Sequence, residues 1–324
     1  MELIDLLKGL DLKSINMSEV LLKSLEDDAA VIPVNDKEAL IQSIDIFTPI
    51  HDDPIIQGKI TACNALNDIY AMGISKILSV LAFIAMPNDM PFEIGRKLMQ
   101  GFSDFCKNDG TYIVGGQTIH NPEPLLGGAV TGFGLLDKII YLKGAKVGDS
   151  LILTKPLGIQ PAMAAYRIKK VPEFAEILHE GLTKTEVQQM IDMAVKIMTT
   201  SNKPVARALE NSSANAATDV TGFGLHGHSS EMIANTKLDI FIQSLPVIKG
   251  ALVVSDMSGY RLEEGHGHET AGGMLMAVSD DQKDQLLAEL KKFNVENYEI
   301  GIVIEGTGKF NIAEDAEILE ISKF

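Results

Sequence analysis

Apolar and polar positions follow two rhythms along this chain, and the changes of rhythm mark its elements. Residues 29–34 and 40–46 are short, rich in Val and Ile, and separated by the turn-forming Asn35-Asp36-Lys37, which predicts two strands. Residues 57–72 place Ile60, Asn64, Leu66, Ile69 and Tyr70 at helical spacing and stop at Gly73. Residues 78–85 form a continuous apolar run, the signature of a buried strand. Pro91 opens a helix through Ile94, Leu98, Phe102 and Phe105 that closes at Asn108-Asp109-Gly110. Strands over 111–114 and 129–136 follow.

A polar, glycine-bearing seam at 143–149 then precedes a new strand over 150–154. Helical spacing dominates beyond it, at 162–169, 184–199 and 205–210. Strand signals return at 238–243, 273–278 and 299–305, with a helix over 281–292. The expected organisation is two domains, residues 1–148 and 149–324, in an α+β class, because each half mixes strands and helices and the first has hairpin-like neighbours. Val130-Thr-Gly-Phe-Gly-Leu135 recurs as Val220-Thr-Gly-Phe-Gly-Leu225, which reads as two glycine turns at strand ends.

Composition narrows the function. At 324 residues the chain fits two domains of roughly 150 residues each and can bury a large core without staples. Two cysteines, Cys63 and Cys106, exclude a disulfide framework and a zinc site built on cysteines. Cys63 reads as a small buried hydrophobe, and the 14 methionines read as core filler. The net charge of −16 and pI near 4.8 repel phosphate backbones and anionic lipid, so neither nucleic acid nor membrane is an expected partner. The longest apolar run, residues 77–86, falls short of the roughly 20 residues of a membrane helix, and the first residues lack a signal-peptide pattern. A cytoplasmic protein is expected.

Acidic residues at element ends are the main chemical signal. Asp27-Asp28 precedes the first strand, and Asp45 interrupts an apolar one, where a carboxylate is costly unless paired or metal-bound. Asn64 and Asp68, four apart, project from one helix face. Asp219 lies between a short strand and a glycine turn. Such hard oxygen donors suit Mg²⁺, which takes one or two carboxylates together with substrate phosphates. Taken singly, Asp27 reads first as a cap, Asp45 as a hydrogen-bonded edge residue and Asp68 as a solvated group; only the set points to a metal. Gly222-Phe-Gly224-Leu-His-Gly227 matches G-x-G-x-x-G, but the strand after it lacks the acid at its end that a ribose requires. Without a phosphate-loop G-x-x-x-x-G-K-[ST], a nucleotide would be held by metal, scattered lysines and backbone N–H groups. His226-Gly-His228 and His266-Gly-His268 could share a metal, although the central glycines favour flexible turns, and His228 could instead donate to a phosphate.

Taken in order, these motifs resemble the selenophosphate synthetases (selenide, water dikinases), in the wider group that includes aminoimidazole ribonucleotide synthetase and thiamine-monophosphate kinase. The matching strings are Asp27-Asp-Ala-Ala-Val31, Ser43-Ile-Asp45-Ile-Phe-Thr-Pro-Ile50 and Asp52-Asp-Pro54, then Asn64-Ala-Leu-Asn-Asp68-Ile-Tyr-Ala-Met-Gly73 and Gly115-Gly116-Gln-Thr118-Ile. Leu153-Thr-Lys-Pro-Leu-Gly158 and Thr218-Asp-Val-Thr-Gly-Phe-Gly-Leu225 follow. The resemblance implies a β-rich N-terminal ATP-binding and dimerisation domain, a C-terminal α/β domain, and a homodimer that transfers phosphoryl groups from ATP to a small acceptor. It implies that Asp28, Asp45, Asn64, Asp68 and Asp219 hold Mg²⁺ against the phosphates. Asp45, Gly115, Gly116, Thr118, Gly222 and Gly224 would line the nucleotide. Selenide is the family's acceptor; a sulfur species, another small acceptor, or nucleotide binding without turnover are the other readings. The chain departs from the family in three places. Its first 26 residues lack the glycine-rich Cys and Lys motif, with Lys8, Lys13 and Lys23 outside any matching string; Gln117 replaces a His; and His266-Gly-His-Glu-Thr270 replaces a Cys-Asp-Pro-Gln-Thr run. No catalytic residue is carried over.

Overall fold

The computed structural model describes Val20 and residues 23–324. The first half builds a five-stranded sheet from β1 (Ala30–Pro33), β2 (Glu38–Phe47), β3 (Ile77–Met86), β4 (Ile113–His120) and β5 (Leu125–Leu135). Its order is β1-β2-β5-β3-β4, antiparallel except for the β3–β4 pair, which is parallel. Two helices join these strands, α1 (Pro54–Ala71) and α2 (Phe92–Asn108). Asp53 fixes the start of α1 by accepting from the N–H groups of Ile55 (2.8 Å) and Ile56 (3.0 Å), and Pro54 supplies a preset first turn. The two helices cross closely at Gly58, where a Cβ would lie 2.0 Å from the Leu98 carbonyl oxygen.

The second half builds a six-stranded sheet in the order β11-β8-β10-β6-β9-β7. In chain order it runs β6 (Ser150–Leu153), α3 (Ile159–Ile168), α4 (Pro172–Gly181), α5 (Lys184–Met198), α6 (Lys203–Asn211) and β7 (Ala216–Asp219). Then come α7 (Gly224–Met232), β8 (Leu238–Ile248), α8 (Ala251–Ser258), β9 (Met274–Val278), α9 (Asp280–Lys292), β10 (Tyr298–Glu305) and β11 (Phe310–Ile321). The mixed α+β class expected from the pattern holds.

Helix α1 is where the halves meet. It packs on β2, β5 and α2 on one side and on β7 and α5 on the other. Buried side chains of both sheets therefore belong to one apolar cluster, from Val31 and Ile41 through Leu66 and Ile69 to Leu151 and Met276. The opposite face of the first sheet is uncovered: Ile44 is 65% exposed, Leu81 48% and Val114 62%.

Several expectations need correction. Helices α4 and α8 and strand β11 were not expected. In α4 Leu178 is buried while Phe174 and Ile177 are exposed, so its apolar residues do not trace a core-facing stripe. Strand β11 carries Glu314, Asp315, Glu317 and Glu320, and this acidity masks its period; an edge strand tolerates it and gains protection from further pairing. The glycines at 115 and 116 do not end a strand but continue β4 along the sheet edge. Asp45 lies beyond the stretch of β2 that pairs with β1, residues 39–42, and is paired in the sheet with β5 alone, opposite Gly128.

Candidate active site

The chain order of the acids becomes a spatial cluster because β2 and β7 both pack on α1, and Asp28, just before β1, reaches Thr218 on β7. Asp27 anchors the approach to β1: its carboxylate accepts from the N–H of Leu142 (3.1 Å) and of Asp28 (3.1 Å), and burial pushes it up to about 6. Asp28 reaches into the other half, where its Oδ1 accepts from the Thr218 hydroxyl on β7 (3.0 Å). Its Oδ2 is buried without a hydrogen-bond partner. Asp45 Oδ2 accepts from Asn64 Nδ2 (2.9 Å), and burial together with the charge of Asp219 pushes its carboxyl up to about 7. Burial, then the charges of Asp45, Asp219 and Asp28, hold Asp68 well above the usual carboxylate range. Burial raises Asp219 as well, against the pull of His228, and its Oδ2 also lacks a partner. Asp28, Asp45, Asp68 and Asp219 thus sit in one another's fields, in a setting that favours protons or cations.

Two cavities share this cluster. The larger, about 570 Å³, is lined by Asp28, Asp68, Lys143, Asp219, Thr221 and His228. The smaller, about 310 Å³, is lined by Asp45, Asn64, Asp68, Gly222, Glu269 and Thr270. Asp68 and Thr221 form part of both walls. Lys143 pairs with Glu26 at the mouth of the larger cavity.

The turn after β7 completes the setting. Thr221 Oγ1 lies 3.2 Å from His228 Nε2, and Glu231 lies 3.3 Å from the other ring nitrogen, so the imidazole is held at both ends. Gly224 adopts φ +65°, and a Cβ there would meet the Gly267 carbonyl oxygen at 2.6 Å. Its N–H donates to Thr221 O (3.0 Å) and so is committed within the turn, whereas Gly222 faces open space.

The structure therefore brings together Asp28, Asp45, Asn64, Asp68, Asp219 and Gly222. Gly115, Gly116 and Thr118 lie apart from them in this chain. The sheet register runs from Asp45 through Gly128 and Ala82 to Gly116, three strand spacings or about 14 Å, and β4 borders neither cavity. The histidine pairs do not form a shared centre. His226 and His266 face each other with ring centroids 4.3 Å apart, while His228 turns toward Asp219. Among the described residues, no three His, Cys, Asp or Glu side chains form a cage able to hold a metal unaided. Lys23 sits 3.6 Å over the Tyr141 ring, and Lys8 and Lys13 lie outside the described residues.

Sequence reasoning missed Glu269. Its two oxygens accept from the N–H groups of Gly158 (2.7 Å) and Ile159 (2.9 Å) at the start of α3, and burial pushes it up to about 8. Its available signal was an acid in an otherwise small and polar run beside the second histidine pair.

Comparison with known proteins adds an independent line. Residues 26–134 match the family model "AIR synthase related protein, N-terminal domain", and residues 146–312 match "AIR synthase related protein, C-terminal domain". The chain is 44% identical to the selenide, water dikinase of Methanocaldococcus jannaschii over 99% of its own length and 93% of that protein. It is 34% identical to that of Carboxydothermus hydrogenoformans, covering 87% of this chain and 85% of that one. Among solved structures, thiamine monophosphate kinase from Aquifex aeolicus matches with a TM-score of 0.66 at 18% identity, over 98% and 97% of the two chains. The hydrogenase maturation protein HypE of E. coli matches with a TM-score of 0.67 at 19% identity, over 86% and 83%. These last two likenesses speak to the fold.

Proposed function

Because the chain belongs to the selenide, water dikinase family, we propose that it is an ATP-dependent phosphotransferase making selenophosphate, AMP and phosphate from ATP, selenide and water. The observation that carries this reading is the convergence of carboxylates from both halves on a shared cavity wall, with buried oxygens of Asp28 and Asp219 left without partners. Mg²⁺ fits this donor set. The oxygens are hard and mutually repelling without a cation. Asp28, Asp45, Asp68 and Asp219 would hold it. Bound there, Mg²⁺ supplies charge neutralisation for the phosphates and for the leaving oxygen.

The chain's own residues orient the reactants. Asn64 fixes the Asp45 carboxylate, and Thr218 fixes Asp28. Asn64 uses its amide nitrogen on Asp45 and its oxygen on the Ala271 N–H, so it positions a ligand rather than acting as one. Thr221 and His228 offer polar groups to phosphates in the larger cavity, and Gly222 leaves room for a close approach of the backbone. The smaller cavity, closed by Glu269 and Thr270, is the place for the acceptor.

In this reading residues 1–148 form the nucleotide and dimerisation domain and residues 149–324 the second domain, in a cytoplasmic homodimer. The exposed apolar face bearing Ile44, Leu81 and Val114 supports dimerisation, and burying it would remove a large uncovered patch from water. Gly115, Gly116 and Thr118 then serve the nucleotide of the neighbouring subunit, which their distance from the carboxylates favours. No helix among the described residues is long and apolar enough to cross a membrane.

The test is selenide-dependent release of AMP and phosphate from Mg·ATP, in the natural chain and in Asp68→Ala. Turnover that requires selenide, lost in the variant, is expected. Turnover without selenide dependence moves the reading to another small acceptor. Nucleotide binding with no turnover moves it to a non-catalytic role.

A further inference from the structure

Lys155 follows β6 and is 2% exposed. Its ammonium group has three N–H donors, and each finds a backbone carbonyl: Thr200 O at 2.7 Å, Ala271 O at 2.9 Å and Ile197 O at 3.2 Å. With all its donors used inside the fold, it is not a cation waiting for a phosphate. What it holds is informative. Ala271 is buried in a left-handed conformation, φ +48°, unusual for a residue with a side chain. Its N–H, on the other side of the same residue, donates to Asn64 Oδ1 (2.8 Å), and Asn64 Nδ2 donates to Asp45 Oδ2 (2.9 Å).

A continuous line of hydrogen bonds therefore runs from Lys155 through Ala271 and Asn64 to the carboxylate of Asp45. It crosses from the second half of the molecule into the first. Neighbouring bonds pin the same loop: Asn202 Nδ2 donates to Gly272 O (2.8 Å), and the Met274 N–H donates to Thr154 Oγ1 (2.8 Å). The strained residue thus sits in a segment fixed on several sides, as a device for aiming one N–H requires.

We propose that Lys155 is a positioning residue for the divalent-cation end of the site: by fixing Ala271 it orients Asn64, and through Asn64 the Asp45 oxygen that faces the cation. The inference rests on the metal reading above. Groups behind metal ligands typically change metal affinity by about 10–100-fold when removed.

The experiment uses Mn²⁺ as the probe, titrated by electron paramagnetic resonance into the full chain with a non-hydrolysable ATP analogue. Four proteins are compared: the natural chain, Lys155→Met, Asn64→Ala and the double variant. Lys155→Met is expected to weaken Mn²⁺ about tenfold in the natural background and less than about twofold once Asn64 is gone, since the line is already cut. Equal weakening in both backgrounds would make Lys155 a structural residue only and overturn the proposal. No effect of Asn64→Ala would overturn it too, while leaving the metal reading intact. Failure of Mn²⁺ to bind the natural chain with the analogue would instead remove the metal reading itself. Lys155→Gln, which keeps a donor without the charge, goes through the same arms and serves if Lys155→Met does not fold.

Discussion

Replacing Asp45 with asparagine should stabilise the metal-free protein while disabling it. The carboxyl is raised from 3.8 to about 7 in the fold, first by burial and then by Asp219. In the unfolded chain it ionises near 3.9. Between these values the folded state holds more protons, so its stability is complete below about pH 4 and is lost as pH rises through about 7. Above that point the ionised side chain opposes folding by about 4 kcal/mol, reduced to about 2 where water reaches the partly open group. Asparagine keeps an oxygen for Asn64 to donate to and carries no charge. Urea unfolding in EDTA should therefore show Asp45→Asn more stable than the natural chain by about 2–4 kcal/mol at pH 8, and by about 1 kcal/mol near pH 4.5. Adding Mg²⁺ with a non-hydrolysable ATP analogue should reverse the order, since the ligand stabilises the natural chain far more. If the metal-free variant is no more stable at pH 8, the four acids do not oppose one another in the fold and the argument for a cation fails.

Three further outcomes follow from the same geometry. Glu269 is raised from 4.5 to about 8 by burial, so it costs the natural chain stability progressively as pH rises between those values; Glu269→Gln should flatten that decline, read by thermal unfolding from about pH 4.5 to 9. Gly224→Ala should destabilise by about 2 kcal/mol or more, because the residue is left-handed and its Cβ meets a carbonyl oxygen; Gly222→Ala, facing open space, should fold normally and raise the KM for ATP. Thr218→Val should weaken Mg·ATP by removing the hydroxyl that fixes Asp28, with little change in expression or far-UV circular dichroism.

How far the sequence alone reached depended on the range of each interaction. The strand around Asp45 and the helix bearing Asn64 and Asp68 were legible because their periods are set by near neighbours, and an acid in an apolar strand is a local anomaly. Asp27 and Glu269 were not legible in the same way. Glu269 caps a helix 111 positions away, and Asp27 holds the N–H of Leu142, 115 positions away. Nothing near either residue states that purpose. Lys155 was legible as part of a family string but not as a buried ammonium, because its acceptors are backbone carbonyls and leave no trace in residue identity. Strand β11 escaped because acidic side chains hide the alternation of an edge strand.

Helix α1 lies within a single apolar cluster that runs unbroken through both sheets. The two halves consequently have no hinge about which to swing, since parting them would expose the flank of that helix to water. Admission and release of substrate must fall to surface segments such as the turn at 221–224, and small-angle X-ray scattering should record the same radius of gyration with and without nucleotide at constant oligomeric state.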